Sequence, residues 1–189
     1  MKIISLLLCS FLWVSCGFSG GAGYRIKKSQ YRTVTPEETT LKVSLWDQKA
    51  WLLNSASEAI LEADIATGVP GKDTPEGVFP ILERLEEKRS NTYGKLVNIK
   101  SRKVMVEKAW EHEGPVPEGA EYEGIAMPYW MRLTWDGVGM HVGKFKKRTR
   151  SSFGCIRVYE KAQPLIYAKT QLGTEVEVIS GSLMSQYAW

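Results

Sequence analysis

The sequence predicts a mainly β protein, a β-sandwich or half-barrel with one helix packed near its C-terminus. Three observations predict it. Short runs in which apolar and polar residues alternate recur along the chain, as in Leu41-Lys42-Val43-Ser44-Leu45 and Val138 to Val142. Turn signals such as Asp47-Gln48, Pro70-Gly71 and Asp136-Gly137 separate them. Only Glu160 to Leu172 repeats at helical spacing, with Leu165, Ala168 and Leu172 on one face, Pro164 in the first turn and Gly173 in the stop position. At 189 residues and 43% hydrophobic, the chain suits one domain with a sizeable core.

Residues 1–16 have the layout of an export signal, Lys2 followed by an apolar run from Ile3 to Val14 that is too short to span a bilayer. Trp13-Val14-Ser15-Cys16 resembles a bacterial lipobox, which makes Cys16 a candidate for lipidation and the protein exported, to the periplasm or cell envelope. Residues 17–40, with little periodicity, read as a flexible tether. The folded domain is expected over 41–180, with 181–189 as a tail.

Within 41–180, Leu41 to Leu52 reads as a β-hairpin, Ala59 to Thr67 as a strand, and Val78 to Leu85 as another after the Thr74-Pro75-Glu76-Gly77 turn. Glu86 to Met127 reads as sheet with a long loop: a strand at Leu96 to Val106, then a polar stretch around Pro115, Pro117 and Gly119, with the whole placed to act as a flap over a site. Met131, Leu133 and Trp135 alternate up to Asp136-Gly137, and Val138, Met140 and Val142 alternate back. By period two, His141 points away from Met140 and Val142. Ile156 to Val158 and Thr174 to Ile179 are the last strands.

The net charge of +4 is concentrated in Lys144, Lys146, Lys147, Arg148 and Arg150. A nucleic-acid binder spreads such charge along a helix or among stacking aromatics. One cationic loop suits a carboxylate-bearing ligand instead, with no nucleic acid as partner. Cys9 and Cys16 belong to the N-terminal segment, so Cys155 stands alone and no disulfide framework is available.

His141 and Cys155 lie fourteen residues apart, one at a strand end and the other in a Gly-Cys turn. An imidazole within reach of a thiol can take its proton and generate the nucleophilic thiolate, and the neighbouring cations would favour that thiolate. Gly154 lets a carbonyl approach the backbone, and its N–H with that of Cys155 could serve as an oxyanion hole. Taken alone, the pair is compatible with catalysis or with a structural pairing. His112, in Trp110-Glu111-His112-Glu113, has no second ligand at metal-binding spacing and reads as a loop residue. Trp110, Trp130 and Trp135 either line a groove or pack within the sheet.

The region around these residues resembles the L,D-transpeptidase (YkuD-type) catalytic domain of bacterial cell-wall enzymes. The family pattern is a His, a mid-teens stretch, then Ser/Thr-His-Gly-Cys followed by a position taken by Asn or Arg. This chain supplies His141, Ser152, Gly154, Cys155 and Arg157, with Phe153 where the family usually has His. Thr74-Pro75-Glu76-Gly77, Met127-Pro128-Tyr129 and Leu172-Gly173-Thr174 are similar to further family motifs, and the likeness runs from about Leu41 to Ile179.

The resemblance implies acyl transfer on peptidoglycan stem peptides without a metal or organic cofactor, in a protein that acts as a monomer. Cys155 would be the nucleophile and His141 the general base and acid, with a backbone carbonyl at Val142 or Gly143 orienting the imidazole. Arg157, Lys144, Ser152 and Tyr129 would meet the substrate, Ser152 either hydrogen-bonding near the thiol or shaping its turn. Attachment to a membrane through Cys16 would hold the enzyme near the wall. The rivals are hydrolysis at the same site, an L,D-carboxypeptidase, and a silent wall-binding module that keeps the fold.

Overall fold

The computed structural model describes residues 23–188, so the expected signal segment, Cys16 and the start of the expected tether lie outside the described residues. In chain order the elements are β1 (Tyr24–Ile26), α1 (Lys28–Thr33), β2 (Thr40–Ser44), β3 (Lys49–Leu53), β4 (Ala59–Ala66), β5 (Gly77–Pro80), β6 (Glu83–Leu85) and β7 (Arg89–Asn98). They continue with β8 (Val104–Val106), β9 (Ala120–Ala126), β10 (Trp130–Arg132), β11 (Gly139–Val142), β12 (Ile156–Val158), α2 (Gln163–Ala168) and β13 (Glu175–Ile179).

Ten strands form one sheet in the order β5-β13-β2-β3-β4-β12-β11-β10-β6, with β1 added beside β4. β5 and β6 sit at opposite ends of that order, yet only Ile81 and Leu82 separate them in the chain. Ile81 N–H donates to Thr174 O at 3.0 Å and Leu82 N–H to Arg132 O at 2.8 Å. Adjacent residues are only about 3.8 Å apart, so the sheet must curl until its two ends meet. This is the half-barrel expected from the pattern of short strands, and it explains why Val78 to Leu85 is two strands where one was expected.

The inner face of the curl carries the main core. Leu41 and Val43, Ala50 and Leu52, Leu61, Ala63 and Ile65, Met131, Met140, Ile156 and Val158, and Val176 and Val178 are all buried there, with Ala162 and Ile166 packed against them. The alternation read from the sequence is therefore the alternation between this core and the outer face. On part of that outer face Trp51 and Leu53 are covered by Leu183 and Tyr187, the Tyr187 ring lying 5.6 Å from Trp51. The C-terminal segment, read from the sequence as a tail, is docked on that face as a strap.

Three other expectations change. The span read as a tether holds β1 and α1 from Tyr24 onward. Asp64 N–H donates to Gly23 O at 2.9 Å and Gly23 N–H to the carboxylate Oδ2 of Asp64 at 2.8 Å, Tyr31 Oη donates to Leu165 O at 2.9 Å, and Lys169 Nζ donates to Val34 O at 2.8 Å. Composition could not show this, because each partner is far away in the chain. The helix expected over Glu160 to Leu172 is confined to Gln163–Ala168, since Thr170 Oγ1 turns back onto Ile166 O at 3.0 Å and competes with the helical ladder. Leu96 to Val106 is a hairpin, not one strand: Asn98 Oδ1 accepts Lys100 and Ser101 N–H and closes a turn between β7 and β8. With β9 these two strands make a separate three-stranded sheet in the order β8-β7-β9.

Candidate active site

β11 and β12 are parallel neighbours, with Met140 opposite Ile156, His141 opposite Arg157 and Val142 opposite Val158. Parallel neighbours need a crossover, and residues 143–155 provide it, ending at the Gly-Cys turn. One step before Ile156, Cys155 comes level with Gly139. Because side chains alternate, Met140, Ile156 and Val158 enter the core while His141, Cys155 and Arg157 share the outer face.

That face carries two cross-strand rows. One runs Glu83, Arg132, Gly139 and Cys155; the next runs Leu85, Trp130, His141, Arg157 and Ala66. Gly139 lacks a side chain for a reason: an added Cβ would come within 2.6 Å of both Met131 O and the Trp130 ring. The Trp130 indole lies over that gap, 6.0 Å from the His141 ring, and is fixed by its Nε1–H bond to Glu83 Oε2 at 2.9 Å. The same carboxylate accepts from Arg132 Nε at 3.2 Å.

His141 is only 5% exposed, and its Nδ1 contacts Val142 O at 2.8 Å. A carbonyl can only accept, so Nδ1 carries the hydrogen and the neutral ring keeps a lone pair at Nε2. Burial, with Arg157 nearby, lowers the imidazole pKa to about 4, against a partial rise from the Val142 bond. The orienting carbonyl is that of Val142. Gly143, the other carbonyl considered, serves Arg157 instead: a Cβ there would come within 2.6 Å of Arg157 Cγ.

The turn bearing Cys155 is bound on all sides. Gly154 takes φ +114°, a region that favours glycine. Its carbonyl accepts from Thr74 Oγ1 at 2.7 Å, and that hydroxyl in turn accepts Gly68 N–H at 3.0 Å. Ser152 is buried, donates from Oγ to Cys155 O at 2.5 Å and accepts Gly154 N–H at 3.2 Å. Ser152 therefore shapes the turn. The Gly154 N–H, expected to face an oxyanion, is directed into its own loop.

The thiol is half-buried. Its Sγ lies 3.7 Å from Gly137 O, and burial raises its pKa, opposed by the Gly139 backbone and by the charges of Arg157 and Arg132. Two members of the cationic loop are engaged away from the thiol. Lys147 reaches Asp64 Oδ2 at 3.5 Å, and Arg150 pairs with Asp73 and donates to Gly68 O at 2.5 Å. Burial thus disfavours the charged form of both the thiol and the imidazole.

His141, Cys155, Arg157, Lys144 and Ser152 line one cavity of about 500 Å³. Ser90 and Tyr93 of β7 and Ile125 and Ala126 of β9 form its other wall, so the three-stranded sheet is the flap that the sequence suggested. Phe153 fastens it: its ring lies 5.0 Å from Tyr93 and 6.2 Å from Trp110, while Tyr93 and Trp110 meet edge-on at 5.4 Å. Tyr129 is not among the lining residues. Its ring packs edge-on against Tyr167 and its carbonyl accepts from Gln163 Nε2, which makes it a support for the neighbouring loop rather than a substrate contact. Of the tryptophans, Trp130 is buried, Trp110 joins the clasp, and Trp135 stands 77% exposed on the β10–β11 turn. His112 contacts Pro115 O in the loop after β8.

Residues 38–178 match the family profile described as the L,D-transpeptidase catalytic domain, YkuD. The chain belongs to that family. A search of curated proteins returns no match. Among solved structures, an L,D-transpeptidase from Stackebrandtia nassauensis aligns at 17% identity and TM-score 0.54 over 78% of this chain and 58% of its own. One from Mycobacterium smegmatis aligns at 15% identity and TM-score 0.55, covering 76% of this chain and 59% of its own. An L,D-transpeptidase in complex with imipenem aligns at 17% identity and TM-score 0.55, covering 75% and 59%. At these identities the likeness is one of fold, and this chain spans less than two thirds of those proteins.

Within the YkuD domain, sequence reasoning passed over Glu83, Arg132 and Gly139, read Trp130 only as a groove-lining or sheet-packing aromatic, and read Thr74 only as part of a turn. A signal for three of them was present. Pairing the two arms of the Asp136-Gly137 hairpin sets Trp130 and Arg132 beside His141 and Gly139. Glu83 and Thr74 gave none, because they arrive from distant segments.

Proposed function

We propose that this YkuD domain is a peptidoglycan L,D-transpeptidase that works by cysteine acyl transfer from a tetrapeptide stem. The observation that carries the reading is the shared face of Cys155 and His141 on one cavity wall, with the Nδ1–H bond to Val142 O leaving Nε2 free to take a proton. Cys155 Sγ attacks the carbonyl carbon of the third residue as Nε2 accepts the thiol proton. The C–N bond to the terminal D-alanine breaks, and the imidazolium returns the proton to the departing amine. A thioester remains on Cys155.

An acceptor amine then attacks the thioester, gives its proton to Nε2 and forms the new amide, while the sulfur leaves and recovers the proton. Arg157, half-buried and facing the cavity, suits a stem carboxylate. A signal-like N-terminus with a lipobox-like Cys16 fits export and attachment at the cell envelope, where such stems are found.

The test is incubation of the purified protein with tetrapeptide stems, followed by mass spectrometry. Cross-linked dimers with released D-alanine, and a thioester adduct on Cys155, are expected. Tripeptides without dimers would make the protein an L,D-carboxypeptidase. Absence of both D-alanine release and any Cys155 adduct, with imipenem as well as stems, would leave a wall-binding module.

A further inference from the structure

Trp130 is 1% exposed and is absent from the cavity lining, yet its indole reaches the catalytic pair. The six-membered ring covers Gly139, where an added Cβ would come within 2.6 Å of Cη2 and 2.8 Å of Cζ3, and Gly139 is the residue level with Cys155. The same indole lies against the His141 ring, with centroids 6.0 Å apart and planes inclined by 36°. At its other end Nε1–H donates to Glu83 Oε2 at 2.9 Å. One rigid bicycle thus spans from a carboxylate on β6, the last strand in the sheet order, to the imidazole on β11.

His141 needs such a support. Among the described residues the ring has one hydrogen bond, at Nδ1 to Val142 O. A single bond sets a direction but leaves the ring free to turn about the N–H···O line, and a flat surface held against its face removes that freedom. The polar end of that surface is fixed by Glu83, because a buried indole N–H takes an acceptor where it finds one. Glu83 is kept in place in turn by its cross-strand neighbour Arg132, whose Nε donates to the same oxygen at 3.2 Å and whose guanidinium stands 5.5 Å from the Trp130 ring centre.

The geometry points to Glu83 as a positioning residue for the reaction: through the Nε1–H bond it fixes the Trp130 indole against Gly139 and His141, and so fixes the plane of the imidazole that serves Cys155. Glu83 acts on the base through Trp130 and touches neither substrate nor sulfur. The inference rests on the acyl-transfer reading and names what aims its general base. A proton acceptor held slightly off line costs turnover, whereas the cavity that binds the stem is unchanged, since neither Glu83 nor Trp130 lines it.

The experiment measures kcat and KM for D-alanine release in Glu83→Ala, Glu83→Gln, Trp130→Phe and the double variant Glu83→Ala/Trp130→Phe. Glu83→Ala and Trp130→Phe should each lower kcat by roughly ten- to a hundredfold and move KM by less than about twofold, the pattern of a group that serves the chemical step. Glu83→Gln, whose amide oxygen can still accept the indole N–H, should keep kcat within about threefold. The double variant should be no slower than either single one, as expected when both act through one bond. Trp130→Phe leaves Glu83 paired with Arg132 and carries the same expectation should Glu83→Ala not fold. The ring-proton resonances of His141, which need no turnover, should shift in Glu83→Ala and return in Glu83→Gln.

A rise in KM with kcat unchanged, or multiplied losses in the double variant, would overturn the proposal, the second by placing the action of Glu83 on Arg132. Failure of the unaltered protein to release D-alanine would sink the transpeptidase reading alone. The His141 resonances would then decide the positioning, and unmoved resonances in Glu83→Ala would overturn it.

Discussion

His141 stands opposite Arg157 in the parallel pairing of β11 and β12, and that register puts Cys155, two residues before Arg157, on the same face of the sheet as the imidazole. The same burial that brings them together sets their protonation. Among the described residues no carboxylate hydrogen-bonds the ring, and burial disfavours its positive form.

Acid should destabilise the fold through His141. Its folded pKa is about 4, against about 6.5 in an unfolded chain. Above the unfolded value both states are neutral and stability is flat. As pH falls from about 6.5 to 4 the unfolded chain takes up a proton that the folded chain refuses, and stability drops by about 1.4 kcal/mol per pH unit. Urea midpoints measured from pH 7.5 to 4.5 should show this slope in the native protein and a shallower one in His141→Gln. Parallel slopes would refute the assignment.

Labelling of Cys155 by iodoacetamide should be slow at pH 7 and should keep rising with pH beyond the range of an ordinary thiol, since burial raises its pKa. Replacing Arg132 by Gln removes one of the two charges that oppose this rise and should slow labelling at pH 8 by a few-fold. A plateau of fast labelling near neutrality would mean that thiolate and imidazolium already exist at rest.

Thr74→Val should uncouple the nucleophile turn. The hydroxyl both donates to Gly154 O and accepts Gly68 N–H, and all three groups are buried. Leaving both partners unsatisfied costs about 2–6 kcal/mol, at about 1–3 kcal/mol for each buried group. We expect a lower melting temperature together with a tenfold or greater loss of kcat. Thr74→Ser should restore both, whereas equal losses in the Ser variant would show that the methyl group, not the bond, matters.

Removing residues 181–189 should strip Leu183 and Tyr187 from Trp51 and expose a core tryptophan. Loss of an aromatic side chain from such a contact costs about 3–5 kcal/mol. Thermal unfolding should move down by roughly 10 °C, with a red-shifted tryptophan emission. An unchanged melting temperature would show that the strap is not part of the folded unit.

Much of the sheet was legible because its signal is local. Leu41 to Leu52 and Met131 to Val142 each alternate over a turn, and each forms the expected hairpin. The flap was visible only as a charged, interrupted stretch, since β7 pairs with β9 across the long loop. α1 went unread because it buries none of its own residues; the segment around it is held by contacts with Leu165 and Lys169. Phe153 looked like a departure from a family motif. In the fold it is one side of an aromatic clasp whose other members, Tyr93 and Trp110, come from the flap.

By itself the sequence determined which groups are available for chemistry: one imidazole and one thiol in a Gly-Cys turn, with an arginine two residues on. Those are matters of order along the chain and need no folding to be seen. It took the fold to show that burial disfavours the charged forms of both, that Gly154 N–H turns inward, and that Lys144 and Arg157 line one cavity with Cys155. Protonation and pairing depend on burial and on strand register, and both arise from contacts between residues far apart in the chain.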